Sequence, residues 1–329
     1  MRIFLTGGSG FIGSRLAPMA VKAGHAVTVV TAVNNATERA RCDALVKSGI
    51  QVVVAPLEDS AVVARELRGT DTVIHLAAAQ HEAQAPESHF YQVNVENTRR
   101  LLDLAARAGV RRFVHGSTIG VYGSAAGGTL DEDSPLAPDN PYGRTKAAAE
   151  LVVRQFEAAM EWCIVRISET YGPGDLRLLK LFRGVRTGRY LTVGSGENLH
   201  QLIYVEDLAR GLLVACAAPA MRGQTVVLAG SEHITTNAMV GAIGAAVGSR
   251  RRVLHAPLWP FIAAAAVFEQ TFSPLGLKPP LHRRRLDFFR KSFSFSTARA
   301  QELLGFRPQI DFQEGARLSA AWYRENNLL

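Results

Sequence analysis

A chain of 329 residues, of which 47% are hydrophobic and 20% charged, is large enough for one big domain or two coupled domains with a substantial core. Its longest apolar stretch, about residues 258–268, is interrupted by Pro260 and is far shorter than the ~20 residues of a spanning helix, which excludes a transmembrane span. Three widely spaced cysteines have neither disulfide nor metal-ligand spacing, and no secretory leader is visible, so a cytoplasmic protein without a metal is expected.

The net charge of +8 at pH 7 has two interpretations. It is either a solvated basic surface or an attraction for an anionic ligand, such as a phosphorylated cofactor or a sugar nucleotide. The basic residues are dispersed, apart from Arg283 to Arg285 with Arg290 and Lys291, and no base-stacking aromatic motif accompanies them. We therefore expect a small-molecule substrate and no nucleic acid.

Apolar strands and helices alternate through the first half of the chain. The predicted strands are residues 2–5, 26–30, 52–55, 72–76, 112–115 and 162–166, and the predicted helices are 11–23, 99–108 and 142–160. This alternation predicts an α/β fold with a Rossmann-type, doubly wound parallel sheet.

After Gly172-Pro-Gly174 the regular alternation of strands and helices ends. The rest of the sequence predicts a smaller C-terminal α/β substrate lobe. Residues 202–205 and 225–228 are expected to return to the sheet. We therefore assign residues 1–172, with 202–230 returning, to a dinucleotide-binding Rossmann domain. Residues 173–201 and 231–329 are assigned to a substrate-binding lobe.

The segment Thr6-Gly-Gly-Ser-Gly-Phe-Ile-Gly13 follows the first predicted strand and opens the first predicted helix. Its glycines allow the backbone to approach a pyrophosphate at a helix N-terminus. Where an acidic residue commonly binds the ribose 2′-OH at the end of the second strand, the chain has Thr31. No carboxylate there repels a 2′-phosphate, and Arg39 or Arg41 is a candidate partner for one, which favours NADP over NAD. The alternative is that both arginines are solvated helix residues.

A second signal is Tyr142-Gly-Arg-Thr-Lys146. Residues four apart lie on the same face of a helix, one turn from each other. A phenol is a poor base at neutral pH, but a neighbouring ammonium group favours the phenolate and makes the pair a usable proton acceptor and donor. With Ser117 and Thr118 at the end of the strand before it, the pattern predicts a catalytic site beside the nucleotide.

These motifs, in this order, resemble the extended short-chain dehydrogenase/reductase family in its epimerase/dehydratase branch. The resemblance covers nearly the whole chain. The matching segments include Thr6 to Gly13, His75-Leu-Ala-Ala78, Val93-Asn-Val95, Val114 to Thr118, Val121-Tyr-Gly123, Tyr142 to Lys146, Tyr171-Gly-Pro-Gly174, Tyr204-Val-Glu-Asp207, and Glu302 to Pro308 with Trp322-Tyr323.

The resemblance implies that Tyr142 exchanges a proton with a substrate oxygen and that Lys146 lowers the pKa of the tyrosine and binds the nicotinamide ribose. It implies that Thr118, with Ser117 as second choice, polarises the same oxygen, and that Asn94 orders the central helix. The cofactor-binding residues expected from the glycine loop and the family motifs are Gly7, Gly10, Phe11, Ile12, Gly13, Thr31, Arg39, Leu57, Ala77, Ala78, Tyr142 and Lys146.

The chain lacks acidic residues that two of the reactions known in this branch require, which limits the reactions that it can catalyse. The resembling 4,6-dehydratases have Asp-Glu directly after the threonine, where this chain has Ile119 and Gly120, and sugar-acid decarboxylases have a Glu at the latter position. Two hypotheses remain. The favoured one is a nucleotide-sugar epimerase, and the alternative is a dehydrogenase or reductase of an apolar alcohol or ketone, resembling 3β-hydroxysteroid dehydrogenases or dihydroflavonol reductases. A third, non-catalytic NADP-sensing protein is disfavoured because the tyrosine and the lysine are both present.

The candidate substrate residues are His81, Glu169, His200 and Arg283. His200 stands where sugar-nucleotide enzymes of this branch usually have an arginine for the diphosphate, and Arg283 to Arg285 offer charge instead. The apolar segment 258–268 favours the alternative, because it could cover an apolar pocket or make a peripheral contact with a membrane surface. We also expect a homodimer through the helices at residues 94–108 and 142–160, which relatives pair as a four-helix bundle.

Overall fold

The computed structural model describes residues 1–80, 85–123, 125, 128–249, 253–272, 281 and 283–329, with the side chains of residues 283–285 excepted. Its contacts divide the chain into two compact units. The first unit comprises Met1–Thr170, Val205–Ala229 and Phe295–Gln309. The second unit comprises Tyr171–Tyr204, Gly230–Ser294 and Ile310–Leu329.

A seven-stranded parallel sheet forms the centre of the first unit. Its strands are β1 (Arg2–Thr6), β2 (Ala26–Thr31), β3 (Gln51–Val54), β4 (Thr72–His75), β5 (Arg112–Thr118), β6 (Glu161–Ile167) and β11 (Gln224–Leu228), in the order β11-β6-β5-β4-β1-β2-β3. Every paired neighbour runs parallel. The strand order reverses between β1 and β4, and doubly wound sheets bind nucleotides at the carboxyl ends of the strands at such a point.

Helices connect these strands and also form much of the second unit. The helices are α1 (Gly13–Lys22), α2 (Ala36–Lys47), α3 (Ser60–Glu66), α4 (Glu87–Tyr91), α5 (Asn97–Arg107), α6 (Pro141–Arg154), α7 (Leu179–Thr187), α8 (Val205–Ala217), α9 (Thr236–Val247), α10 (Leu258–Phe272), α11 (Arg283–Arg290), α12 (Ala298–Leu304) and α13 (Phe312–Glu325). A π-helical turn at Gln92–Glu96 joins α4 to α5. Strands β4 and β5 are buried along almost their whole length, as expected for a sheet covered by helices on both faces.

The second unit has its own apolar core, built on α7, α9 and α13. Short strand pairs complete it. The remaining strands are β7 (Thr170–Tyr171), β8 (Leu191–Val193), β9 (Leu199–His200), β10 (Ile203–Tyr204), β12 (Ile234–Thr235) and β13 (Leu254–Ala256). The rings of Tyr171 and Phe312 pack at 4.9 Å in this core, and those of Phe182 and Tyr323 at 5.1 Å.

The structure corrects two boundaries. Residues 202–205 do not return to the main sheet, because β10 pairs with β7 and the chain enters α8 at Val205. Glu206 and Asp207 lie in the first turn of α8, where carboxylates stabilise a helix N-terminus. Residues 295–309, expected in the lobe, belong to the first unit, where the buried ring of Phe295 packs 5.6 Å from that of Tyr122.

The prediction for residues 225–228 is confirmed, since β11 pairs with β6 at the edge of the sheet. The three cysteines are free and buried. Within the described residues no helix is long and apolar enough to cross a membrane. The same residues contain no group of three or more His, Cys, Asp or Glu side chains that would hold a metal ion.

Candidate active site

The glycine loop between β1 and α1 leaves no room for side chains. Gly7 has φ +71°, and a Cβ there would lie 2.7 Å from the backbone nitrogen of Ala77. A Cβ on Gly13 would lie 2.3 Å from the carbonyl oxygen of Gly7, and one on Gly10 would lie 3.0 Å from the same oxygen. Glycine at these positions therefore keeps a bare backbone surface at the end of β1.

The N-terminus of α1 is suited to an anion. Its cap residue, Ile12, makes no side-chain capping bond, and the first turn contains no acidic residue. The first N–H groups of a helix have no partner within the helix, and the helix dipole favours negative charge there. The half-buried side chains of Phe11 and Ile12 precede this turn. The residues present thus fit the pyrophosphate of a dinucleotide.

The end of β2 differs in part from expectation. The buried hydroxyl of Thr31 lies 2.7 Å from that of Ser9, and the carbonyl oxygen of Ala32 lies 3.1 Å from each hydroxyl. Arg39 is exposed on α2, whereas Arg41 is half-buried and its Nη1 lies 3.4 Å from the carbonyl oxygen of Ser9 in the glycine loop. Of the two arginines, Arg41 is therefore the one in contact with the loop.

The chain after β4 is held against the same loop. Thr6 Oγ1 accepts hydrogen bonds from the backbone N–H groups of Leu76 and Ala77, each at 3.2 Å. Ala77 is half-buried and Ala78 is exposed. Leu57, also expected at the cofactor, is half-buried and packs on the apolar core of the first unit.

Asn94 ties the segment after β4 to α6. Its side-chain oxygen accepts from the Ala79 N–H at 2.8 Å, and its amide group donates to the Ala79 carbonyl at 3.1 Å and to Thr145 Oγ1 at 3.0 Å. The asparagine is buried within the π-helical turn. It thus fixes the helix that carries Tyr142 and Lys146.

Tyr142 lies in the first turn of α6, beside the end of β5. Asn140 caps the helix by accepting from the Gly143 N–H at 3.0 Å. A Cβ on Gly120 would lie 3.4 Å from Thr118 Oγ1 and 4.0 Å from the ring of Tyr142. Thr118 and Tyr142 therefore flank the same glycine, and Thr118 Oγ1 accepts from the Gly120 N–H at 3.0 Å. Both residues expected to meet a substrate oxygen therefore lie close to Gly120.

Ser117 has a different environment from Thr118. Successive side chains of a strand point to opposite faces, and the Ser117 hydroxyl donates to Glu150 Oε1 at 2.5 Å inside the core. Glu150 Oε2 also accepts a hydrogen bond from Arg166 Nη2 at 2.8 Å, and the side chains of Glu150 and Arg166 are almost fully buried. Arg166 in turn donates to Tyr122 Oη at 2.9 Å. We therefore treat Ser117 as part of a buried polar network rather than as a second choice for Thr118.

Lys146 is fully buried, one turn after Tyr142. Its Nζ lies 3.1 Å from Nε2 of His115 on β5. Burial lowers the pKa of Lys146 to about 7, while the negative charge of Glu150 acts in the opposite direction. The lysine expected to act as a fixed positive charge therefore titrates close to neutrality.

A family model, the NAD dependent epimerase/dehydratase family, matches residues 3–229. The chain belongs to this family. A dTDP-glucose 4,6-dehydratase of Actinoplanes sp. is 29% identical, over 99% of this chain and 98% of the relative. The 3beta-hydroxysteroid-dehydrogenase/decarboxylase isoform 1 of Arabidopsis thaliana is 27% identical, over 95% of this chain and 77% of the relative.

Among solved structures, a dTDP-glucose 4,6-dehydratase from Streptomyces venezuelae with NAD bound superposes with a TM-score of 0.78. It is 28% identical, over 99% of this chain and 98% of that one. The epimerase/dehydratase family membership confirms the Rossmann prediction and makes the chain an NAD(P)-dependent enzyme of the extended short-chain dehydrogenase/reductase type.

The four residues expected to bind substrate differ in their burial and in their contacts. His200 is buried in the second unit, with its Nε2 3.0 Å from Thr236 Oγ1 and 3.1 Å from Asn198 Nδ2, and its ring 4.7 Å from that of Phe288. This satisfied core position argues against a role in binding substrate. Glu169 is half-buried, just after β6. His81 lies outside the described residues, as does the side chain of Arg283 at the start of α11.

The sequence motifs did not predict the contact of His115 with Lys146 or the contact of Glu150 with Arg166. A weak signal was available. Alternation along β5 puts His115 on the same face as Ser117, and Glu150 follows Lys146 by one helical turn. Which strand face packs on which helix face, however, is decided only by the fold.

Proposed function

We propose that this member of the family is an oxidoreductase of the nucleotide-sugar epimerase type that acts through Tyr142, Lys146 and Thr118. The observation that carries the proposal is the arrangement around Gly120. Thr118 and Tyr142 flank this glycine, and the position between them has no side chain. Thr118 and Tyr142 thus form a pair of groups for proton transfer to which neither Ile119 nor Gly120 adds an acid or a base.

Each residue has a task that its environment supports. Thr118 Oγ1 accepts from the Gly120 N–H, so the hydroxyl proton remains available for a substrate oxygen. Tyr142 takes a proton from that oxygen or returns one, a step that typically contributes 10² to 10⁴-fold to the rate. Lys146 stabilises the phenolate through its charge. A bound nicotinamide supplies the hydride acceptor and donor.

Dehydration of the sugar is the less favoured reaction, although similar proteins are dTDP-glucose 4,6-dehydratases. Elimination of water needs an acid and a base in addition to the proton pair, and the family pattern places them directly after the threonine. Here Ile119 is buried and Gly120 has no side chain. Epimerisation needs only reversible oxidation of one ring hydroxyl, which the three residues can support.

A nucleotide sugar is supported by the dTDP-glucose enzymes among the relatives and by the basic character of the chain. Its diphosphate must meet cationic groups, because buried negative charge without a partner is very costly. His200 is engaged in the core of its own unit, so we assign this task to Arg283 to Arg285. Their replacement by Ala should raise KM for a nucleotide sugar at least tenfold.

The proposal is tested by incubating the purified protein with NAD⁺ or NADP⁺ and a panel of UDP- and dTDP-hexoses, with product stereochemistry read by NMR. Interconversion of 4-epimers is the expected outcome. Tyr142→Phe should abolish it while cofactor binding is retained, because the ring stays and the transferable proton is lost. Tyr142→Phe with more than a tenth of wild-type kcat would overturn the assignment. A 4-keto-6-deoxy product would show dehydration instead.

A second candidate function is oxidation of an apolar alcohol. It is favoured by α10, an almost entirely apolar helix in which Trp259 is 73% exposed, and by the Arabidopsis relatives. A 3β-hydroxysteroid with either cofactor tests it, since NAD(P)H production from the steroid alone would replace the epimerase proposal. Binding of NADPH without turnover of either substrate class would instead indicate a non-catalytic sensor.

We further propose NADP as the preferred cofactor. Thr31 leaves no carboxylate at the end of β2, and Arg41 lies against the glycine loop. Titration of the protein with NADPH and NADH tests this, and Arg41→Ala should reduce binding of NADPH more than binding of NADH. Tighter binding of NADH by tenfold would count against the assignment.

A homodimer through α5 and α6 is also proposed. The side chain of Leu151 on α6 is 64% exposed, and a large apolar side chain at that position is suited to burial against a second copy. Light scattering should give twice the chain mass, and Leu151→Arg should yield monomers. A wild-type monomer at micromolar concentration would contradict the proposal.

A further inference from the structure

The contact between Lys146 and His115 joins two elements of the first unit. Lys146 is on α6, His115 is in the middle of β5, and neither side chain has access to solvent beyond 1%. Their nitrogens, Nζ and Nε2, are 3.1 Å apart. A charged group in such a place is unfavourable unless a polar partner meets it.

The direction of this hydrogen bond follows from the chemistry of the two groups. An ammonium group has donors alone, so Nε2 must accept and the imidazole proton must reside on Nδ1. That requires a neutral ring. Burial first, and then the charge of Lys146, holds the pKa of His115 well below its usual range, so the ring is neutral and one of its nitrogens can accept.

The other charged and titratable groups around the lysine have partners of their own. Glu150 lies one turn further on α6, and its carboxylate binds Arg166 at 2.8 Å. His75 on β4 has its ring 5.5 Å from that of His115, and its nitrogens lie 2.7 Å from Thr6 Oγ1 and 2.9 Å from Thr98 Oγ1. His115 is therefore the group that meets the ammonium directly.

We infer that His115 is a positioning residue that holds the ammonium group of Lys146 through Nε2. One N–H of the lysine is used on β5, and two remain for the phenol of Tyr142 and the ribose of a nicotinamide cofactor. The inference deepens the proposed function, since it rests on the assignment of Tyr142 and Lys146. Without the acceptor, the buried ammonium loses its proton at lower pH and its position is no longer fixed.

The test uses two substitutions of His115 by an amide side chain, which differ in how far the amide group lies from the backbone. In His115→Gln the amide group reaches the place of Nε2 and can accept, whereas in His115→Asn it reaches only the place of Nδ1. The readout is the binding of NADPH or NADH to the full-length protein, measured by fluorescence from pH 5.5 to 9. We expect affinity to fall as the lysine loses its charge, with the midpoint at least one pH unit lower in His115→Asn and close to wild type in His115→Gln.

Equal midpoints in wild type and both variants, or equal shifts in the two variants, would overturn the inference, because a packing role does not distinguish them. A double cycle with Lys146→Met gives a second check, since His115→Asn should add nothing to the loss of affinity once the lysine is gone. This cycle does not use His115→Gln, so it remains informative if that variant folds poorly. The readout needs no substrate, so failure to find an epimerase activity leaves it intact, and failure of the midpoint to move leaves the proposed function intact.

Discussion

The centre of the first unit and helix α10 of the second unit differ in the side chains that they bury and expose. In the centre of the first unit, charged and titratable side chains are almost fully buried, among them His75, His115, Lys146, Glu150 and Arg166. In the second unit, α10 is composed almost entirely of apolar residues, yet Ala265 is the one residue described as buried along it. Local hydropathy therefore does not determine burial in this protein.

The buried groups are tolerated because they meet partners. Glu150 accepts from Ser117 and Arg166, Arg166 also donates to Tyr122, and Lys146 meets His115. A partner offsets part of the cost of burying such a group, but a buried charge still costs free energy, and a charge that loses its partner costs several kcal/mol more. The apolar side chains of α10 need no hydrogen-bond partner. When they are exposed to solvent, the protein only forgoes the free energy that their burial would contribute.

The largest effect is expected from breaking the Arg166–Glu150 pair. Arg166→Met leaves the Glu150 carboxylate buried without its cation and should lower the free energy of unfolding by about 3–5 kcal/mol. The matched control is Arg317→Met, which removes the exposed partner of Glu314 and should cause no resolvable change. Urea denaturation of both variants measures the difference. A loss below about 1 kcal/mol for Arg166→Met would mean that the network is not the stabilising unit described here.

A smaller effect of opposite sign is expected for Lys146→Met. Because burial lowers the pKa of Lys146 from 10.5 to about 7, the folded protein pays for a buried charge below pH 7. The variant should therefore be more stable than wild type at pH 6, on the order of a few kcal/mol.

Between pH 7 and 10.5 the unfolded chain keeps the proton of Lys146 and the folded protein releases it, so wild type gains stability as the pH rises. The advantage of the variant should shrink over this range. Thermal melts at pH 6, 8 and 10 follow it. An advantage that is constant with pH would show that the charge of the lysine is not its cause.

The smallest effect is expected on α10. Trp259→Ser removes a large side chain that is 73% exposed and should change the free energy of unfolding by no more than ~0.5 kcal/mol. Phe113→Ala, at a fully buried aromatic side chain of β5, is the control and should cost about 3–5 kcal/mol. Equal losses for the two would mean that α10 is packed as tightly as the sheet.

Much of the fold could be predicted from local pattern. The strands of the parallel sheet were predicted to within a few residues, because each is a short apolar run bounded by polar or glycine residues. The glycine loop was equally clear, since a bare backbone between a strand and a helix needs glycine at fixed spacing. The end of α6 was predicted less well, as the helix stops at Arg154 rather than near residue 160.

The candidate site was predictable to a smaller extent. The pairing of Tyr142 with Lys146 follows from one turn of helix, so the sequence alone is sufficient. The choice of Thr118 over Ser117 was suggested by family pattern, and the contact of Ser117 with Glu150 supplies the physical reason. His200 lies buried beside Asn198, Thr236 and the ring of Phe288, contacts that no local pattern predicts, and its role at the substrate stays a prediction.

By itself the sequence determined those features that depend on neighbours along the chain: strands, the glycine loop, the helical pair Tyr142 and Lys146, and thereby the family. Tertiary structure decided which buried groups meet. His115 and Lys146 are 31 residues apart, and Arg112, buried on β5, donates to the carbonyl oxygen of Cys216, 104 residues away. The pKa of a buried side chain depends on such partners and on the depth of burial, because both terms act over a few ångströms in space. For that reason the lowered pKa of Lys146 could not be predicted from the sequence and follows only from the folded structure.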